Sequence, residues 1–142
     1  MKTIKETHLD LLADYVKKLY REPVLRHLFF ELTLRCNASC FHCGSNCTVA
    51  AGDELSTEEF KTILDQVKED FDISKVLLCI TGGEPLLRSD FFDILGYADS
   101  LGYNWGMTSN GTLITKDVAR RLADCGMKTI SVSIDGLPET HD

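Results

Sequence analysis

The sequence predicts an α/β fold, a parallel sheet of about four strand–helix units behind an N-terminal helix. Three observations carry this. Segments with strand character alternate with segments of helical periodicity, the pattern of right-handed βαβ units. The segment Lys75 to Thr81 is nearly all apolar, as in a parallel strand buried on both faces. The chemically unusual residues all follow directly after a strand, at the rim where parallel α/β sheets build their sites.

In chain order, Leu9, Leu12, Val16 and Leu19 recur at helical spacing over residues 8–21, with Asp10, Asp14, Lys17 and Lys18 mostly on the other side. Pro23 ends this helix, which is expected to pack over one end of the domain. Residues 1–27 are thus read as an N-terminal helical segment and 28–142 as the core. Leu28 to Leu34 is the first strand. A loop over 44–55 leads to a helix capped by Ser56, with Glu59 completing a capping box and Phe60, Ile63, Leu64 and Val67 as its buried stripe. After the second strand, Ser89 is expected to open a helix through Phe91, Phe92, Leu95 and Ala98, stopped by Gly102. Asn104 to Ser109 is the third strand. Thr115 starts the next helix, with Val118, Ala119, Leu122 and Ala123 expected inward and Gly126 as its stop. Met127 to Ile134 is the fourth strand, and Pro138 to Asp142 leads into another helix.

With 142 residues, 15 basic and 22 acidic side chains and a net charge of −7, the chain is a poor match for nucleic acid or an anionic membrane surface. No apolar run approaches the ~20 residues of a membrane span. The start, Met1 to Glu6, is polar and not a secretory signal. Six cysteines in a chain that can build a core without staples are read as reduced thiols in a cytoplasm.

The chemistry centres on Cys36-Asn37-Ala38-Ser39-Cys40-Phe41-His42-Cys43, three thiols spaced C-x3-C-x2-C on one loop. Clustered thiolates bind iron–sulfur clusters or zinc. Three thiolates on a [4Fe–4S] cube leave one iron open for a non-protein ligand. The alternative is a closed zinc site with Cys47 as fourth ligand, for which this single contiguous run is an unusual spacing. Cys79 and Cys125 are read as small buried hydrophobes. Gly82-Gly83-Glu84-Pro85 follows the second strand. Its glycines permit close backbone approach to a ligand, and its carboxylate can accept a charge-assisted bond from an ammonium group. Ser109-Asn110-Gly111 ends the third strand and is at least a turn. Ser131, Ser133 and Asp135 share one side of the fourth, and polar groups on an apolar strand need partners. Arg35 either faces a cluster's charge or is a surface cation.

The cysteine octet and the Gly-Gly-Glu-Pro turn, in this order, resemble the signatures of the radical S-adenosylmethionine enzymes over roughly residues 28–136. The resemblance implies a partial (β/α)6 barrel of which this chain holds the first four strands. It also implies a [4Fe–4S] cluster on Cys36, Cys40 and Cys43, whose open iron chelates S-adenosylmethionine and whose electron releases a 5′-deoxyadenosyl radical. His42 would then lie near the adenine, Gly82, Gly83, Glu84 and Pro85 at the methionine end, Ser109 and Asn110 on the same rim, and Ser133 and Asp135 near the ribose and carboxylate. An external electron donor of flavodoxin or ferredoxin type is implied. The Cys-Gly-Ser-Asn-Cys loop and the Ser-Ile-Asp-Gly ending look most like the SPASM branch, which modifies peptides and proteins. Rival readings are a cofactor-biosynthesis member of the same superfamily and a non-catalytic iron–sulfur or zinc module. We expect the chain to be the front of a longer enzyme, inactive alone, with an exposed fourth-strand edge that either pairs with a second copy or leaves its loops loose.

Overall fold

The computed structural model describes residues 2–47 and 54–137. The helix expected after Pro138 lies outside them. Helix α1 spans Ile4–Arg21 and begins earlier than its apolar stripe, because Thr3 and Glu6 form a reciprocal capping box. Among the described residues the packing expected of it is not made. None of its residues is buried, and Leu9, Leu12 and Val16 are each more than half exposed.

Four parallel strands, β1 His27–Glu31, β2 Leu77–Thr81, β3 Asn104–Ser109 and β4 Thr129–Val132, form one sheet in the order β1-β2-β3-β4. Helices α2 Thr57–Asp70, α3 Phe91–Leu101 and α4 Lys116–Asp124 form the crossovers. Sequential order without reversal is the winding of a barrel rather than of a doubly wound sheet. β1, β2 and β4 are shorter than the apolar runs suggest. Before β2, Asp72 caps a 3-10 turn at Ile73–Lys75 that takes up the front of the predicted strand. No helix among the described residues is long and apolar enough to cross a membrane.

One face of the sheet carries the core. Phe30, Leu78, Ile80, Trp105 and Met107 pack with Phe60 and Leu64 of α2 and Phe91, Ile94, Leu95 and Ala98 of α3. The Phe30 and Phe60 rings lie 5.0 Å apart, and Phe91 meets Trp105 edge-on at 6.2 Å. The polar ends of the buried aromatics are satisfied: Tyr103 donates to the Leu64 carbonyl at 2.7 Å and Trp105 to the Cys125 carbonyl at 2.8 Å. Burial pushes the Tyr103 phenol up to about 12.

Two helix details differ from the sequence reading. α3 takes Asp90, not Ser89, as its N-cap residue, and the Asp90 side chain makes no capping bond because Arg88 and Thr57 hold it. In α4 only Leu122 is buried and Val118 is partly so; Ala119 and Ala123 face solvent. An alanine carries too little apolar area to decide which way a helix turns.

On the opposite face of the sheet, Phe29, Cys79, Gly106 and Thr129 form one row across the four strands. Phe29 is 66% exposed there. A Cβ at Gly106 would lie 2.8 Å from the Thr129 carbonyl oxygen and 2.3 Å from its methyl. Gly106→Ala is therefore expected to push β4 away from β3 and destabilise the fold by about 1–3 kcal/mol. A urea midpoint equal to that of the parent chain would contradict this.

Candidate cofactor site

The rim is built by continuing β1–β2 pairing beyond the strands. Leu32 N–H donates to the Thr81 carbonyl at 3.1 Å, Gly83 N–H to Thr33 at 2.8 Å and Glu84 N–H to Arg35 at 2.8 Å. A Cβ on Gly82, whose φ is +138°, would lie 2.4 Å from the Thr33 oxygen. One on Gly83 would lie 2.2 Å from the Arg35 oxygen and 3.0 Å from Cys36 Cβ. The two glycines thus allow a close approach to the chain's own backbone, in addition to lining the cavity at the strand ends. Their effect is to hold the start of the cysteine loop against the β2 turn.

The loop then folds through tight turns. Cys43 N–H donates to the Cys40 carbonyl at 3.1 Å, and Asn46 adopts a left-handed φ of 48°. A cavity of about 310 Å³ opens at the C-terminal ends of the strands. It is lined by Cys36, Cys40, His42 and Cys43 from this loop, Gly82 and Gly83 after β2, Ser109 and Asn110 at the end of β3, and Ser133 and Asp135 after β4. Cys47, Thr81 and Thr108 also line it. The two threonines share the strand face that carries Cys79 and Ser131, and that alternation was the signal available for finding them.

All six cysteines are free thiols. The three of the octet share the cavity but are not drawn into a closed set. Among the described residues no three His, Cys, Asp or Glu side chains are arranged to hold a metal ion. The electrostatics separate Cys43 from Cys47. Backbone N–H groups of Cys47 and Ser45 hold the Cys43 thiol below its usual range, favouring thiolate. Burial, with the neighbouring Cys43 second, pushes the Cys47 thiol up. The donor chemistry of this wall, several thiols around one cavity, fits a thiolate-held iron–sulfur cluster, and burial disfavours the thiolate form at Cys47 relative to Cys43.

Glu84 and Pro85 are buried and do not line the cavity. The Glu84 carboxylate accepts from Ser109 Oγ at 3.0 Å on both oxygens, from Asn110 N at 2.9 Å and from Leu86 N at 3.3 Å. The carboxylate that the sequence reading offered to an ammonium group is engaged within the rim in this structure. Pro85 opens a 3-10 turn, Pro85–Leu87. His42 is exposed, with Nε2 3.6 Å from Asp135 Oδ2. Arg35 pairs with Glu54 at 3.3 Å, so it is neither free nor turned to the thiols.

Arg88 was not singled out in the sequence. It is 7% exposed and donates to the Leu32 carbonyl at 2.8 Å and the Leu55 carbonyl at 2.6 Å, so it ties both ends of the long cysteine loop. Its guanidinium also grips Asp90 bidentately at 2.6 and 2.9 Å and lies 5.0 Å from the Phe60 ring centre. No local pattern marks such a residue, because its partners are 33 and 56 positions away.

Comparison with known proteins decides the family, since the model of the Radical SAM superfamily matches residues 30–142. The chain belongs to the Radical SAM superfamily. Its members use a [4Fe–4S] cluster and S-adenosylmethionine. An AdoMet-dependent heme synthase of Methanosarcina barkeri is 42% identical over 120 residues, covering 82% of this chain and 33% of that protein. The mycofactocin maturase MftC of Mycolicibacterium smegmatis is 36% identical over 109 residues, 77% of this chain and 27% of that one. In fold, the chain resembles BtrN bound to AdoMet and 2-DOIA, with a TM-score of 0.66 at 21% identity over 77% of this chain and 45% of BtrN. Streptococcus suis SuiB bound to S-adenosylmethionine gives 0.66 at 22% identity over 97% of this chain and 32% of SuiB. The chain spans about a third of the length of the curated relatives it matches.

The Arg88–Asp90 pair makes a pH prediction. Arg88 first, then the Thr57 hydroxyl, holds the Asp90 carboxyl below its usual value. A depressed folded pKa gives stability that is present above the unfolded value, near 4, and is lost as pH falls through the folded one. Asp90→Asn is expected to cost about 1–3 kcal/mol at pH 7. Urea unfolding at pH 7 and pH 3 should show that deficit shrinking in acid; a pH-independent deficit would contradict the assignment.

Proposed function

We propose that the protein containing this chain cleaves S-adenosylmethionine reductively and directs the resulting radical at a hydrogen of a peptide or protein. The observation that carries the reading is the meeting of Cys36, Cys40 and Cys43 with Gly82 and Gly83 in one cavity at the strand ends. The three cysteines would hold the cluster as thiolates, and Cys43 is already biased to that form. When bound, the cluster and S-adenosylmethionine supply the electron and the 5′-deoxyadenosyl radical. Gly82 and Gly83 leave a wall without side chains for the polar end of the cofactor. His42, Ser133 and Asp135 offer polar contacts on the other wall, and Ser109 and Asn110 close the rim between them. Glu84 and Pro85 act behind the wall by fixing the β2 and β3 turns. A flavodoxin- or ferredoxin-like donor would supply electrons. Six unbridged thiols suit a reducing, cytoplasmic setting.

The peptide assignment is supported by the Cys-Gly-Ser-Asn-Cys loop and by the 36% identity to mycofactocin maturases. A second reading, a cofactor-building enzyme acting on a tetrapyrrole, is favoured by the 42% identity to a heme synthase. The test uses full-length protein, reconstituted and reduced anaerobically, with deuterated cell extract split into peptide and small-molecule fractions. We expect 5′-deoxyadenosine to form and to gain deuterium from the peptide fraction. Deuterium drawn only from the tetrapyrrole-bearing fraction would replace the peptide reading with the second. No 5′-deoxyadenosine at all would overturn both.

A further inference from the structure

We propose that Asn110 is a positioning residue whose side-chain amide acts on the Cys36 sulfur and sets the reduction potential of the cluster held there. This rests on the cofactor reading above. Asn110 Nδ2 lies 2.8 Å from Asn37 Oδ1 and 3.9 Å from Cys36 Sγ. The same sulfur takes the Ala38 N–H at 3.4 Å. Cys36 is thus the octet thiol that receives a side-chain donor from a different strand end.

The orientation of the amide follows from its partners. Asn110 Oδ1 accepts from Thr112 N–H at 3.0 Å and from the Thr112 hydroxyl at 2.7 Å. The Thr112 hydroxyl in turn accepts from Asn37 Nδ2 at 2.8 Å. Asn37, Asn110 and Thr112 therefore close a ring in which each donor has an acceptor, and only one sense of the Asn110 amide fits it. That sense turns N–H toward Asn37 and Cys36. The Asn110 backbone N–H is fixed as well, on the buried Glu84 carboxylate at 2.9 Å. The Asn–Gly pair after β3 is more than a turn: it carries a donor, braced from behind, to a cysteine sulfur 74 positions earlier.

Hydrogen bonds to ligand sulfurs are one of the levers a protein has over iron–sulfur potentials. A donor withdraws charge from the thiolate and favours the reduced, more negative cluster. Removing it shifts the potential to more negative values. A residue that only shaped the loop would change how much cluster is bound, not the potential of the cluster that binds.

The experiment uses full-length protein reconstituted anaerobically, with potential followed by EPR-monitored titration and iron and sulfide counted in parallel. Asn110→Ala is expected to shift the potential negative. Asn110→Asp keeps the shape while replacing the donor by a charge, and is expected to shift it further in the same direction. Both should retain iron and sulfide close to the parent content. An unmoved potential in both variants overturns the proposal, whether or not their cluster content falls. Parent protein that takes up no [4Fe–4S] cluster overturns the cofactor reading itself, a result distinct from an unmoved potential in loaded variants.

Discussion

The site depends on one close approach of backbone to backbone. Gly82 and Gly83 lie so near Thr33 and Arg35 that any side chain would collide with carbonyl oxygens at 2.4 and 2.2 Å. The two bonds from Gly83 and Glu84 to those carbonyls extend the β1–β2 ladder into what would otherwise be two independent loops. The cysteine run is thereby anchored at its first thiol, Cys36, against the turn that borders the cavity. Loops that carry function are usually the mobile parts of a fold. Here the parallel sheet lends its rigidity to the first turn of the loop.

Two buried charged side chains secure what the glycines bring together. Arg88 holds the carbonyls of Leu32 and Leu55, one before and one after the cysteines, and is itself fixed by Asp90 and the Phe60 ring. Glu84 binds the β3 end through Ser109 and Asn110. Both satisfy their hydrogen bonds internally, which is the condition for burying such groups at acceptable cost. The arrangement is economical: one short segment, 82–88, supplies the close approach, the link to β3 and the clasp on the loop.

Much of this was legible in the sequence because it is written locally. Strand–helix alternation, the Ser56–Glu59 capping box and the Thr115 cap depend on neighbouring residues, and the structure has each of them. The concentration of unusual residues at strand ends likewise brought the cysteines, Gly82 and Asn110 to one cavity. What sequence reasoning missed depends on distant partners. Apolar residues run on through Leu32 and Leu34, but β1 ends at Glu31 as the chain turns toward the glycines. The internal partner of Glu84 is equally remote: Ser109, which donates to its carboxylate, lies 25 positions on. The stripe of α1 states that the helix is amphipathic, not what covers it, and among the described residues it stays exposed.

The central claim is that Cys36, Cys40 and Cys43, and not Cys47, are the thiolates of the site. Iron and sulfide counts on the anaerobically reconstituted full-length protein and its single Cys→Ala variants test it most directly. Substitution of Cys36, Cys40 or Cys43 should each abolish the [4Fe–4S] complement attributable to this site, while Cys47→Ala leaves it intact. Loss of iron on replacing Cys47, equal to that at the other three, would contradict the account and point to a closed four-thiolate centre.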